Sequence, residues 1–392
     1  MKLDLLVIGG CGHVGLPLAL VFAERGLKVG IYDIDKSAIR NINNGIMPFK
    51  EDLAPQLIRK LINKNLFLFD RPEIISNAKY VVVVIGTPVD EHLNPLFNLM
   101  KTFFKDLMKY FRNGQNIILR STIFPGTTQI IHDLFIKSGK NVNLCFCPER
   151  VAEGHAITEI RELPQIIAGV TKKARIAAGR LFGKINKKLI FLSPIEAELA
   201  KLFTNSYRYI NFAIANQFYM IANDYNLDFF RIYNAVTQDY PRAKSFPKPG
   251  FAAGPCLFKD TMQLASFNKN TFFLGHSAML VNEGLPNYIV DRIKKLYDLN
   301  KLKIGILGMA FKKNSDDKRE SLAYKLKNIC EVECKKVYCS DVYIKDSRFV
   351  PASELIKKSD LIIIAAPHNE YLKLKIPAKK LIDVWGLYQG GR

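Results

Sequence analysis

The chain has 392 residues, enough for two or three domains with ordinary cores. With 48% apolar and 24% charged residues it has the mix of a globular protein, which excludes disordered, collagen-like and coiled-coil chains. Lys and Arg outnumber Asp and Glu by 57 to 36, a formal charge of +21 that suits nucleic acid, a membrane surface or anionic small molecules.

The chain opens MKLDLLVIGG, with no long apolar segment or cleavage site, and this reads as a first strand rather than a signal peptide. Short apolar runs at 3–8, 28–32, 80–85 and 116–119 predict buried parallel strands. Helical patterns at 15–25 and 94–111 lie between them, and the alternation predicts βαβ units in a doubly wound sheet. After Pro194 no Gly or Pro interrupts a stretch rich in Ala, Leu, Phe and Tyr, which predicts one long helix to about 226 and shorter ones to 239. A Pro/Gly-rich loop at 240–255 precedes more helix to about 296. Strand–helix alternation then resumes at 303–307, 336–339, 361–365 and 380–384. The expected fold class is α/β: two Rossmann-like, doubly wound parallel-sheet domains, 1–192 and 299–392, joined by a long central helix and a helical middle at 193–298. No apolar run approaches the ~20 residues that span a bilayer. The seven cysteines, odd in number and irregularly spaced, argue for a reducing compartment. A cytoplasmic protein without membrane association is expected.

Gly10-Cys11-Gly12-His13-Val14-Gly15 follows the first strand and opens a helix. The glycines allow a tight turn, and the helix N-terminus meets a pyrophosphate. Asp33 ends the second strand, where a carboxylate accepts hydrogen bonds from the ribose hydroxyls of NAD and repels the 2′-phosphate of NADP. NAD is therefore the expected cofactor. The second feature is Gly250-Phe251-Ala252-Ala253-Gly254-Pro255-Cys256-Leu257-Phe258-Lys259-Asp260. A thiolate needs a positive neighbour near neutral pH, and Lys259 supplies one. Taken alone, such a Cys is more often a small buried hydrophobe. The other cysteines lack zinc-site spacing, no His-based triad stands out, and no metal is expected.

These motifs resemble the UDP-glucose/GDP-mannose 6-dehydrogenase family, nearly end to end and in the family's order. Gly10 to Gly15 and Asp33 look like its NAD site, and Gly45-x-x-Pro48-x-x-Glu51 resembles the segment after its second strand. Gly86-Thr87-Pro88-x-Asp90 resembles P-T-P-x-D, and Ser121-Thr122 with Pro125-Gly126-Thr127 resembles S-T-x-x-P-G-T. Pro148-Glu149-Arg150 through Glu153-Gly154 resembles P-E-x-x-x-E-G, and Glu196-Ala-Glu198-x-x-Lys201-x-x-x-Asn205 begins the family's long helix. The loop from Gly250 to Asp260 looks like its nucleophile loop, and Phe311-Lys312 with Asp316-Asp317-x-Arg319-x-Ser321 resembles its nucleotide-sugar motif.

The resemblance implies a four-electron oxidation of a UDP-sugar at C6 to the uronate with two NAD, for surface polysaccharide precursors. Cys256 would trap the aldehyde as a thiohemiacetal and release the acid from a thioester. Lys201 and Asn205, four apart and on one helix face, would line the reacting centre, and Lys201 would stabilise an oxyanion. Asp260, Thr122 and a water would manage protons, with Glu153 nearby. Without the resemblance, Lys201 and Asn205 read as a solvated helix face. Cofactor contacts would come from Gly10, Gly12, His13, Val14, Gly15, Asp33, Thr87, Pro88 and Thr122. Substrate contacts would come from Glu149, Arg150, Lys201, Asn205, Phe251, Gly254, Lys259, Phe311, Lys312 and Arg319, and Arg242 would reach into a neighbour's site. A homodimer or higher homo-oligomer formed through the long helix is implied.

Some positions depart from the family: Phe258 replaces Pro in C-x-P-K-D, Gln217 replaces a Glu, and Met279 stands where Arg is frequent. Pro148-Glu149-Arg150 resembles the UDP-N-acetylhexosamine enzymes, whereas Glu153, Lys259 and Asp260 look like the UDP-glucose branch, so both sugars stay open. Two other functions are compatible with parts of the sequence. One is a two-electron hydroxyacid-type dehydrogenase on the same fold, which Cys256 with Lys201 speaks against. The other is a polyanion-binding protein using Lys172, Lys173, Arg175, Arg180, Lys184, Lys187 and Lys188. That stretch, spaced among Ile176, Ala177, Leu181 and Phe182, reads instead as the wet side of an amphipathic helix, and no nucleic-acid motif accompanies it.

Overall fold

The alternating side chains of β1 (Leu3–Ile8) set the architecture of the N-terminal half, because both of its faces are buried. Leu5 and Val7 join one apolar cluster with helix Gly15–Glu24, while Leu6 and Ile8 join another on the opposite face. The structure, a computed structural model, describes residues 1–87, 97–251, 254 and 256–388. It divides into two compact units, Met1–Thr204 and Asn205–Arg392. The division falls inside a 31-residue helix, Pro194–Asp224.

The first unit is built on an eight-stranded sheet of order β3-β2-β1-β4-β5-β6-β7-β8. After β1 come β2 (Val29–Tyr32), β3 (Leu66–Phe69), β4 (Ala78–Val83), β5 (Asn116–Leu119), β6 (Asn143–Phe146), β7 (Gln165–Gly169) and β8 (Leu189–Phe191). The pairs from β3 through β6 are parallel. β7 runs antiparallel to β6, and β8 follows β7 in its direction. The strand order reverses direction at β1, so the C-terminal ends of β1 and β4 flank the point where an open parallel sheet receives ligands.

The second unit carries a four-stranded parallel sheet of order β10-β9-β11-β12, formed by β9 (Lys303–Leu307), β10 (Lys336–Ser340), β11 (Leu361–Ile364) and β12 (Leu381–Ile382). Its core joins the sheet to helices Phe273–Leu296 and Leu322–Glu333 through residues such as Ile289, Ile293, Ile304, Ile306 and Leu326. The expected strand at 380–384 shrinks to two residues. The basic helix Lys172–Phe182 buries Ala174, Ala178, Leu181 and Phe182, whereas Ile176 is exposed, so its apolar face lies one step round from the expected one. No helix among the described residues is long and apolar enough to cross a membrane.

Candidate active site

In the first unit, three glycines shape the turn after β1. A side chain at Gly10 would come within 2.8 Å of Ile31, and one at Gly15 within 2.6 Å of the Gly10 Cα. These two are small because the turn packs on β2 and on itself. A side chain at Gly12 would meet nothing within 4 Å, so the turn is open there and backbone can approach a pyrophosphate. Gly9, which sequence reading passed over, has φ +71° and lies against the Val84 carbonyl oxygen, where only glycine fits. Val14 caps helix Gly15–Glu24, and the His13 ring stacks on Phe49 at 3.9 Å. Asp33 accepts from the Cys11 N–H at 2.9 Å and the Asp35 N–H at 3.1 Å, so its carboxylate is fixed beside the glycine turn. This donor-rich turn with one anchored carboxylate fits the pyrophosphate and adenosine ribose of NAD.

Two buried carboxylates hold the surrounding loops. Glu198, on the long helix, accepts from the N–H groups of Gly126 and Thr128 at 2.6 and 2.9 Å and from the Thr128 hydroxyl at 2.5 Å. This ties the turn after Thr122 to the helix one turn before Lys201. Burial pushes the Glu198 carboxyl up against the lowering effect of those donors. Glu51 accepts from Gly154 and Ile157 N–H groups at 2.9 and 3.2 Å and so fixes the loop that carries Glu153. Thr87 donates to the Thr122 carbonyl at 2.6 Å. Pro88 lies outside the described residues.

Glu149 sits in the interior. Its Oε2 accepts from Arg120 Nε at 2.7 Å, and its Oε1 from the N–H groups of Arg150 and Val151 at 2.7 and 3.0 Å. Arg120 also donates to the Cys147 carbonyl and Gln165, both at 3.2 Å. The Arg150 guanidinium donates to the Pro164 carbonyl. Both expected substrate residues are thus engaged within the scaffold of this loop.

In the second unit, Cys256 is the N-cap of helix Leu257–Phe267 and is exposed, unlike the buried hydrophobe that a Cys taken alone suggests. The exposed end of a helix dipole favours a thiolate there. Four residues on, Asp260 is fully buried; its Oδ2 accepts from Asn205 Nδ2 at 2.6 Å, and its Oδ1 lies 3.7 Å from Lys259 Nζ. Asn205 and Lys201 are both buried, so the solvated helix face is not what forms. The approach to Cys256 is anchored by residues that no local motif reveals. Asn216 accepts from the Gly250 N–H at 2.8 Å and donates to Asn282 at 2.9 Å, and Asn282 donates to the Tyr209 carbonyl at 3.0 Å. Phe251 is buried, Gly250 abuts the Trp385 ring, and a side chain on Gly254 (φ +110°) would come within 2.5 Å of Phe311. Residues 252, 253 and 255 lie outside the described residues.

Phe311 donates its N–H to the Asp317 carbonyl at 3.0 Å, and Lys312 lies 5.6 Å from the Phe311 ring centroid. Arg319 Nε faces both Asp317 oxygens at 3.0 and 2.9 Å, and its Nη2 meets Oδ2 at 2.5 Å. Arg242 is exposed, with its Nε 2.7 Å from the Tyr240 hydroxyl.

The chain matches the models of three successive domains: the NAD-binding domain of the UDP-glucose/GDP-mannose dehydrogenase family at residues 4–186, its central domain at 195–283 and its UDP-binding domain at 305–390. It belongs to that family. This dehydrogenase is 29% identical over 381 residues to the UDP-N-acetyl-D-mannosamine dehydrogenase of Pyrococcus horikoshii, covering 93% of this chain and 90% of that protein. It is 30% identical over 370 residues to the enzyme of the same name from Methanocaldococcus jannaschii, covering 92% and 85%. Among solved structures, the UDP-D-ManNAc dehydrogenase of P. horikoshii matches with a TM-score of 0.90 at 26% identity, over 98% of this chain and 96% of that one. A UDP-glucose dehydrogenase from Pyrobaculum islandicum matches with the same TM-score at 22% identity, over 100% and 96%, and shows the shared fold.

Proposed function

We propose that this dehydrogenase oxidises the C6 hydroxyl of a UDP-sugar to the carboxylate in two NAD-linked steps, and that the sugar is an N-acetylhexosamine. The observation that carries the reading is Cys256: an exposed thiol at a helix N-terminus, with Lys259 and the Asn205–Asp260 pair on the next turn. The names of the relatives and the Pro148-Glu149-Arg150 loop support an N-acetylhexosamine over glucose.

Bound NAD supplies the electron acceptor for each oxidation. The first oxidation leaves an aldehyde at C6. Cys256 Sγ, as thiolate, adds to that carbon and the carbonyl oxygen takes up a proton, giving a thiohemiacetal that cannot diffuse away. Its oxidation leaves a thioester on Cys256; water adds to the thioester carbon, the C–S bond breaks, and the carboxylate leaves with the thiol restored. The Lys201 ammonium balances the oxyanion charge, and Asn205, Asp260, Thr122 and Glu153 hold and move the protons. Phe311, Lys312 and Arg319 bind the UDP, and Arg319 exchanges Asp317 for phosphate oxygens. The protein works as a homodimer in the cytoplasm, paired through the apolar face of the long helix.

The test is a substrate panel followed by NADH absorbance: UDP-N-acetylmannosamine, UDP-N-acetylglucosamine, UDP-glucose and GDP-mannose, each with NAD and NADP. Turnover with a UDP-N-acetylhexosamine and NAD is expected to exceed the others by at least ~10-fold. Faster turnover of UDP-glucose would move the assignment to the other branch.

A further inference from the structure

We propose that His368 is a positioning residue for the nucleotide-sugar loop, clamping both ends of the 309–314 turn through a fixed imidazole–carboxylate pair. The inference rests on the reading of Phe311 and Lys312 as nucleotide-sugar contacts and concerns the side chains that hold their loop.

The turn leaves β9 through Gly308, whose φ of +88° places it against Ala366. The next two N–H groups, of Met309 and Ala310, donate to Asp341 Oδ2 at 2.6 and 3.1 Å. Asp341 follows β10, and its other oxygen accepts from the N–H groups of Tyr343 and Ile344 at 2.7 and 2.9 Å. Burial raises the Asp341 carboxyl, but His368 and the backbone donors outweigh it and hold the group below its ordinary range.

His368 is wholly buried, and its Nε2 lies 3.2 Å from Asp341 Oδ2. At the far end of the turn, the Asn314 N–H donates to His368 Nδ1 at 2.9 Å. A ring nitrogen that accepts carries no proton, so the proton sits on Nε2 and faces the carboxylate. The tautomer is thereby set from both sides. Tyr343 and Tyr371 pack edge-on against the ring at 5.1 and 5.3 Å, and this packing adds to the two hydrogen bonds in holding its orientation. Asn314 has φ +56°, and its side-chain oxygen accepts from the Asn369 N–H at 3.0 Å. The entrance of the turn is thus bonded to Asp341, its exit to His368, and the two side chains to each other. Phe311 and Lys312 lie between these anchors, and the Phe311 ring also forms the seat of Gly254 on the way to Cys256.

The experiment uses UDP as the probe, with calorimetric binding to the full-length chain and to His368→Leu and His368→Gln. Leucine fills the site but offers neither acceptor nor donor, whereas glutamine keeps one of each. The expected result is UDP binding weakened ~10-fold or more in H368L, NAD binding within ~2-fold, and most of the loss recovered in H368Q. A folded H368L that binds UDP as tightly as the unaltered chain overturns the clamp alone. Failure of the unaltered chain to bind UDP overturns the reading of the loop, and the clamp's role with it. Residue-resolved hydrogen exchange on the unaltered chain is a second measure that needs no variant: the Asn314 amide should exchange slowly, and fast exchange overturns the clamp.

Discussion

Water reaches Cys256 and is kept from most of the other thiols. Burial pushes the thiols of Cys147 and Cys339 up to about 12 and raises those of Cys11, Cys145, Cys330 and Cys334 as well. A raised thiol stays protonated and unreactive at any pH below its shifted value. Iodoacetamide applied to the native chain at pH 8 should therefore modify Cys256 first, and peptide mass spectrometry should place the first adduct there. Comparable labelling of Cys147 or Cys339 would contradict the assignment. At this level the sequence speaks clearly where chemistry is local: the glycine turn, Asp33 and the Cys256 loop all announce themselves by spacing. It is silent where partners are far apart in the chain. Asn216 meets Asn282 across 66 positions, and Glu198 meets Thr128 across 70, with nothing in either neighbourhood to flag the pairing.

The helix Pro194–Asp224 starts with a local device, since both the N–H and the hydroxyl of Ser193 donate to Glu196 at 2.7 Å. Beyond that start it has two kinds of face. One buries Lys201, Asn205, Tyr209 and Asn216; another leaves Phe203, Tyr207, Ile214, Phe218 and Ile221 exposed. Those five fall at spacings of three, four and seven, which puts them on one stripe. An exposed apolar stripe of that length supports the proposed pairing with a second copy of the same helix. Phe218→Asp with Ile221→Asp should roughly halve the mass found by light scattering, and an unchanged mass would remove the helix from the interface. The strand at 303–307 is readable because five consecutive residues are buried or nearly so, whereas β8 has three residues with two exposed and offers no comparable pattern.

Across the molecule, the +21 charge that first admitted nucleic acid belongs to a chain whose three domain matches all concern a nucleotide-sugar dehydrogenase. NAD and a UDP-sugar are both anions, and a positive field draws them in without each Lys or Arg touching a phosphate. Each unit holds one part that the proposed chemistry calls for: the first an open glycine turn with an anchored acid, the second an exposed thiol four residues before the Asp260 that pairs with Asn205. The most direct test is the ratio of NADH formed to UDP-sugar consumed, measured for the unaltered enzyme and for Cys256→Ala. Two NADH per sugar are predicted for the unaltered enzyme, with uronate formation lost in C256A. One NADH per sugar, or full uronate production by C256A, would contradict the covalent four-electron route.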